Sequence, residues 1–171
     1  ETDASWIANG TKLAFLREGE IWTMDANGEN RKKLSDTEGA IEGYKFSPDG
    51  KKVILLKSLD YHGTIKKNPS DLPLATGRLV TDMNYRHWDH YVEQISHAFV
   101  ADVTENGIAN VVDILKGEPY ECPLAPFGGI EQLDWSIDSK LVAYTCRKKE
   151  GVDYAISTDA DIYIYNVETK R

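Results

Sequence analysis

Phe46-Ser47-Pro48-Asp49-Gly50-Lys51-Lys52-Val53-Ile54-Leu55 reads as the end of one β-strand, a tight turn and the start of the next. Pro48 sets a turn-compatible φ, Asp49 bonds back to its own backbone, and Gly50 takes a positive φ at little steric cost. The pattern recurs as Trp6-Ile7-Ala8-Asn9-Gly10-Thr11-Lys12-Leu13-Ala14-Phe15 and as Trp135-Ser136-Ile137-Asp138-Ser139-Lys140-Leu141-Val142-Ala143-Tyr144. Three hairpins of one design make this a repeat protein.

The spacing of the hairpins sets the architecture. Trp6 and Phe46 lie 40 residues apart, the length of a propeller blade, whereas the next step, laid on Gly39, Ile41, Glu42, Ser47, Asp49 and Lys51 against Gly128, Ile130, Glu131, Ser136, Asp138 and Lys140, is 89 residues. Third strands decide what fills the longer step. Ile21–Asp25, Ala98–Val103 and Ile162–Val167 are one class of β-rich segment, each followed by a polar turn. The expectation is therefore an all-β fold of three antiparallel four-stranded blades, a partial β-propeller, with the middle blade enlarged. Blade one spans about 6–35, with strands at Lys12–Arg17, Glu20–Asp25 and Asn30–Leu34 and a hairpin at Asn27-Gly28. Blade two spans about 39–115, closing through Glu105-Asn106-Gly107 into a last strand at Ile108–Leu115, and blade three spans about 128–171.

The enlargement covers 58–96 and contains Gly63, Pro69, Pro73 and Gly77, then Tyr85-Arg86-His87-Trp88-Asp89-His90-Tyr91. A loop of this length within a compact domain is functional or carries structure of its own. It is expected to project as a lobe with a short helical turn after Ser70. A smaller insertion, Lys148 to Ala160, separates two strands of blade three, and Arg171 falls where that blade's fourth strand should begin. Propellers close with four to eight blades, so three leave open sheet edges that invite pairing. The chain is expected to be a fragment of a longer protein or to associate with another copy through those edges.

Composition narrows the function classes. The net charge is -8 and the pI is near 5.0, which opposes generic binding to a phosphate backbone. Arg31-Lys32-Lys33 and Arg147-Lys148-Lys149 read as solvated strand ends, so nucleic acid is not expected as a partner. No apolar run approaches the roughly 20 residues that span a bilayer, so membrane insertion is not expected either. Cys122 and Cys146 fit no metal motif and read as buried or half-buried thiols, with a bridge between them left open.

No catalytic apparatus is legible. The chain lacks Gly-x-Ser-x-Gly, a P-loop, Cys-x-x-Cys and His-Glu-x-x-His, so neither catalytic residues nor a cofactor are expected. His87, His90 and His97 with Asp89 are suitable divalent-metal ligand types, but their spacing matches no metal motif. They read instead as hydrogen-bonded neighbours of a packed Trp88. Trp6, Trp22 and Trp135 read as packing between blades, and the recurrence of Glu42 and Glu131 in the repeat marks them as structural.

The Ser-Pro-Asp-Gly-Lys hairpin resembles the TolB-type, WD-like propeller repeat. Tyr85-Arg86-His87-Trp88-Asp89, Pro123-Leu124-Ala125-Pro126-Phe127-Gly128-Gly129 and Tyr144-Thr145-Cys146-Arg147-Lys148-Lys149 are more specific. In this order they resemble the N-terminal propeller of the prolyl oligopeptidase family, on its acylaminoacyl-peptidase and dipeptidyl-peptidase V side. That resemblance implies a serine peptidase whose propeller covers a C-terminal α/β-hydrolase domain, admits only short peptides, and can help hold a substrate's N-terminal end. The hydrolase domain is then the partner in the same protein and short peptides are the substrates. Tyr85, Arg86, His87, Trp88 and Asp89 are the substrate-facing residues it suggests, and a periplasmic or otherwise exported bacterial setting follows, with a cytoplasmic one left open. A TolB-like periplasmic interaction scaffold is the competing reading.

Overall fold

The computed structural model describes residues 2–61, 65–66, 74, 76–77 and 79–171. The helical turn expected after Ser70 falls outside them. Strands β1 (Thr2–Ile7), β2 (Lys12–Arg17), β3 (Glu20–Asp25) and β4 (Lys32–Lys33) form a four-stranded antiparallel meander, sheet one. It begins at Thr2, ahead of Trp6, and its last strand shrinks to two residues, because Asn27, Glu29 and Asn30 spend their polar groups within the turn and on Asp25.

β5 (Gly43–Phe46) and β6 (Lys52–Asp60) form the hairpin anticipated at Pro48-Asp49-Gly50. Two short ribbons follow, β7 (Ile65–Lys66) with β8 (Leu79–Val80) and β9 (Arg86–His87) with β10 (His90–Tyr91). β11 (Gln94–Thr104) and β12 (Gly107–Asp113) then complete sheet two in the order β5, β6, β11, β12. The β6–β11 ladder continues past Ser58↔Ser96 to Asp60↔Gln94, so the segment between the two strands is 61–93. Sheet three has three strands, β13 (Leu133–Trp135), β14 (Leu141–Cys146) and, after helix α1 (Gly151–Ile156), β15 (Asp161–Asn166). α1 lies within the smaller insertion and was not anticipated.

Sheet two is packed on both faces, and strand periodicity sorts its residues. Val53, Leu55, Phe99 and Ala101 join Ala14, Leu16 and Ile21 of sheet one, while Ile54, Leu56, Ala98 and Val100 join Trp135, Val142, Tyr144 and Tyr165 of sheet three. A strand covered on both sides reads as the unbroken apolar run Val53-Ile54-Leu55-Leu56. Gly107 closes the join to sheet one: a Cβ there would lie 2.6 Å from the Leu34 carbonyl oxygen, the group that accepts Ile108 N–H.

Two expectations need correction. Trp135 is buried between sheets, its Nε1 donating to the Lys45 carbonyl at 3.0 Å, but Trp6 is exposed, since among the described residues no sheet packs on that side of sheet one. Arg147-Lys148-Lys149 is no solvated strand end. Arg147 lies over the Tyr154 ring of α1 at 3.9 Å, Lys148 pairs with Glu118 of the segment after β12 at 2.6 Å, and Lys149 pairs with Asp159, beyond α1, at 3.2 Å.

Candidate functional site

The five residues singled out from the lobe fall on and beside the β9–β10 ribbon, whose register pairs His87 with His90 and Arg86 with Tyr91. Trp88 turns the chain at φ 47°, and Arg86 Nε donates to its carbonyl at 2.8 Å while lying over the Tyr91 ring. Asp89 and His90 pair at the surface, and that hydrogen bond holds the Asp89 carboxyl below the usual carboxylate range. Trp88 meets Phe127 edge-on at 4.9 Å, but both rings remain largely exposed, so Trp88 is not the packed residue expected from the sequence: its positive-φ turn places it at the tip of the ribbon. Tyr85 is half-buried at the base of the ribbon.

His87 points inward, and its Nε2 lies 3.1 Å from Oε2 of the buried Glu121. The Tyr154 hydroxyl of α1 donates to Glu121 Oε1, and Cys146 Sγ donates to the Glu121 carbonyl at 3.5 Å. Burial first, then the Glu121 charge, pushes the Tyr154 phenol well above its ordinary value. One buried carboxylate thus ties the lobe to sheet three and its helix. Cys122 and Cys146 are both buried free thiols, driven upward in pKa chiefly by burial.

The three histidines expected as a group are divided. His87 and His90 lie edge to face at 6.3 Å, while His97 sits in β11 with Nδ1 3.0 Å from Asp113 Oδ2. Among the described residues no three His, Cys, Asp or Glu side chains converge as a metal site.

Beside His97 opens a cavity of about 720 Å³, bounded by the lobe-side ends of β6 and β11, the segment after β12, and α1. Leu59, Ile95, Pro119 and Tyr154 give it apolar walls, and Asp60, Asp82, Asp113, Glu118 and Glu150 line it with carboxylates. Tyr61 donates to Asp82 at 2.9 Å, and burial followed by that bond raises its phenol to about 12. Arg86, His87, Trp88 and Asp89 take no part in these walls.

The cavity residues were missed because their partners are distant in sequence. One signal was present: His97 shares a strand face with Ile95, Phe99 and Ala101 along a buried strand, a position where a polar side chain needs a partner. Its grouping with His87 and His90 obscured that.

No family model matches the chain. Dipeptidyl-peptidase 5 of Porphyromonas gingivalis is 45% identical over 98% of the chain, and that of Porphyromonas endodontalis is 35% identical over 96%. Dipeptidyl-peptidase 5 of Arthroderma otae is 27% identical over 97%. The chain spans about a quarter of the length of these relatives, 25% of the first and 24% of the second. Among solved structures, the acylaminoacyl peptidase of Pyrococcus horikoshii superposes over 97% of the chain and 23% of its own, with a TM-score of 0.56 at 12% identity. TolB from Acinetobacter baumannii superposes over 97% of the chain and 30% of its own, with a TM-score of 0.50 at 16% identity. At such identities these two likenesses concern the all-β fold alone.

Proposed function

Because this chain is homologous along its whole length to part of dipeptidyl-peptidase 5, we propose that it is the non-catalytic β-propeller segment of a serine exopeptidase of the prolyl oligopeptidase family. In this reading it lies N-terminal to an α/β-hydrolase domain whose Ser, His and Asp perform acyl transfer. It covers that domain's active site and admits short peptides. The observation that carries the reading is the 45% identity over 98% of the chain.

The lobe is the substrate-side element in this proposal. Trp88 and Phe127 form an exposed aromatic step, and the His87–Glu121–Tyr154 network holds it from beneath. Tyr85, Arg86 and Asp89 flank that step. We assign the protein to an exported compartment of a bacterium.

The longer protein carrying this chain should release dipeptides from short peptides and lose that activity to a serine-directed inhibitor, while the purified chain shows none. Replacing residues 61–93 by a short turn in the longer protein should raise the length of peptide it accepts. Inhibitor-sensitive hydrolysis by the chain alone defeats the non-catalytic assignment, and an unchanged length limit defeats the gating role.

A further inference from the structure

Two buried hydrogen-bond acceptors line the cavity without a donor among the described residues. His97 is 3% exposed, and its Nδ1 sits between the two Asp113 oxygens at 3.0 and 3.1 Å. The Asp113 carboxylate can only accept, so Nδ1–H is the donor to it; in that tautomer Nε2 is an acceptor, and that atom is buried and unpartnered. Asn84 is 5% exposed, and its Oδ1 is also buried and unpartnered. Its orientation is set by chemistry: the Tyr61 hydroxyl gives its proton to Asp82, so its oxygen accepts from the Asn84 amide and Oδ1 turns elsewhere.

A buried acceptor without a donor is unfavourable, and one group rich in donors resolves two in one cavity together. The surrounding charge narrows what that group is. Asp60, Asp82, Asp113, Glu118 and Glu150 line the space, and Lys149, the one Lys or Arg among its described lining residues, has its ammonium on Asp159 and Ser157. An anion is excluded by those carboxylates, and a divalent metal by the absence of three converging ligands among the described residues. A cation with N–H donors satisfies both acceptors and the field. Leu59, Ile95 and Tyr154 give an apolar stem somewhere to lie.

We propose that this cavity is a binding site for a small organic cation, whose ammonium or guanidinium N–H groups bond to His97 Nε2 and Asn84 Oδ1 while its hydrocarbon part packs between Leu59 and Tyr154. The site does not depend on the peptidase reading, since every group in it belongs to this chain.

The test is calorimetric titration of the protein with butylammonium, butylguanidinium and tetramethylammonium, alongside the imidazole ¹⁵N resonance of His97. Binding by either of the first two, with a shift of the His97 Nε2 signal, is the expected result, and whichever binds identifies the head group. Asn84→Leu removes one acceptor at similar volume, so it should fold with an unchanged or raised melting temperature. It should weaken binding at least about tenfold, as loss of a hydrogen bond to a charged group does. Equal binding of tetramethylammonium, which has charge but no N–H, overturns the proposal. So does a His97 signal that no probe moves, or an affinity that Asn84→Leu leaves intact.

Discussion

Ser139 stands at φ 61° where the matching turn has Gly50 at φ 70°, and its hydroxyl shows why a side chain is kept there. Ser139 Oγ accepts the Asp49 N–H at 3.1 Å, so one repeat's turn is pinned to the next. Within each turn the bonds are the same: Ser47 Oγ to Asp49 Oδ1 at 2.7 Å, and Ser136 Oγ to Asp138 Oδ1 at 2.6 Å. Ser139→Ala loses the cross-turn acceptor while keeping the strained backbone, so it should cost about 1 kcal/mol by urea unfolding. Ser139→Gly loses the same bond but sheds the left-handed penalty and should recover most of that cost. Equal destabilisation by both would show that the strain is immaterial. These turns also titrate. Hydrogen bonds from the Lys51 N–H and Ser47 hold Asp49 below 3.8, and those from Ser136 and the Lys140 N–H do the same for Asp138. A folded value below the unfolded one gives stability that is present above 3.8 and lost as pH falls through the folded values. The turn itself was legible, because Pro, Asp and Gly act locally. The bond from Ser139 was not, since sequence does not say that two turns 90 positions apart touch.

At the level of elements, β6 carries the sharpest expectation, because adjacent residues serve different interfaces. Leu55 is buried among sheet-one residues and Ile54 among sheet-three residues, both fully enclosed. Leu55→Ala and Ile54→Ala should each cost roughly 2 to 5 kcal/mol. Hydrogen exchange should separate them, with Leu55→Ala loosening amides of β2 and β3 and Ile54→Ala loosening those of β13 and β14. Identical exchange patterns would mean that the two interfaces are one cooperative unit. The strands were readable for the reason that makes this test possible: period-two burial and unbroken apolar runs are properties of a segment. The site was less readable. The lobe was located from uneven repeat spacing, but its anchor joins His87, Glu121 and Tyr154 from three separate segments, and α1 lies in a stretch of six residues with weak helical pattern. Asn84 and His97 acquire meaning only when β11 and the lobe meet.

For the whole molecule, inner and outer sheet faces differ in how far they are covered. Tyr163 and Tyr165 of β15 turn toward sheet two, whereas Ile162 and Ile164 on the opposite face are 75% and 56% exposed. Sheet one presents Trp6 on its own outer side, at the repeat position where Trp135 is bonded to Lys45 of the neighbouring sheet. Among the described residues, two interfaces of this design are filled and two apolar outer faces are exposed. A protein four times as long, as in the relatives, has the material to fill them with further sheets. The double substitution Ile162→Lys/Ile164→Lys distinguishes a covered face from a bare one. In the isolated chain these side chains meet water, so the change in unfolding free energy should stay within about 0.5 kcal/mol. In the longer protein the same lysines would enter an apolar interface without partners, and the melting temperature should fall as it does for a buried charge. Equal effects in both would mean that sheet three ends the stack, and that the open face serves something other than another blade.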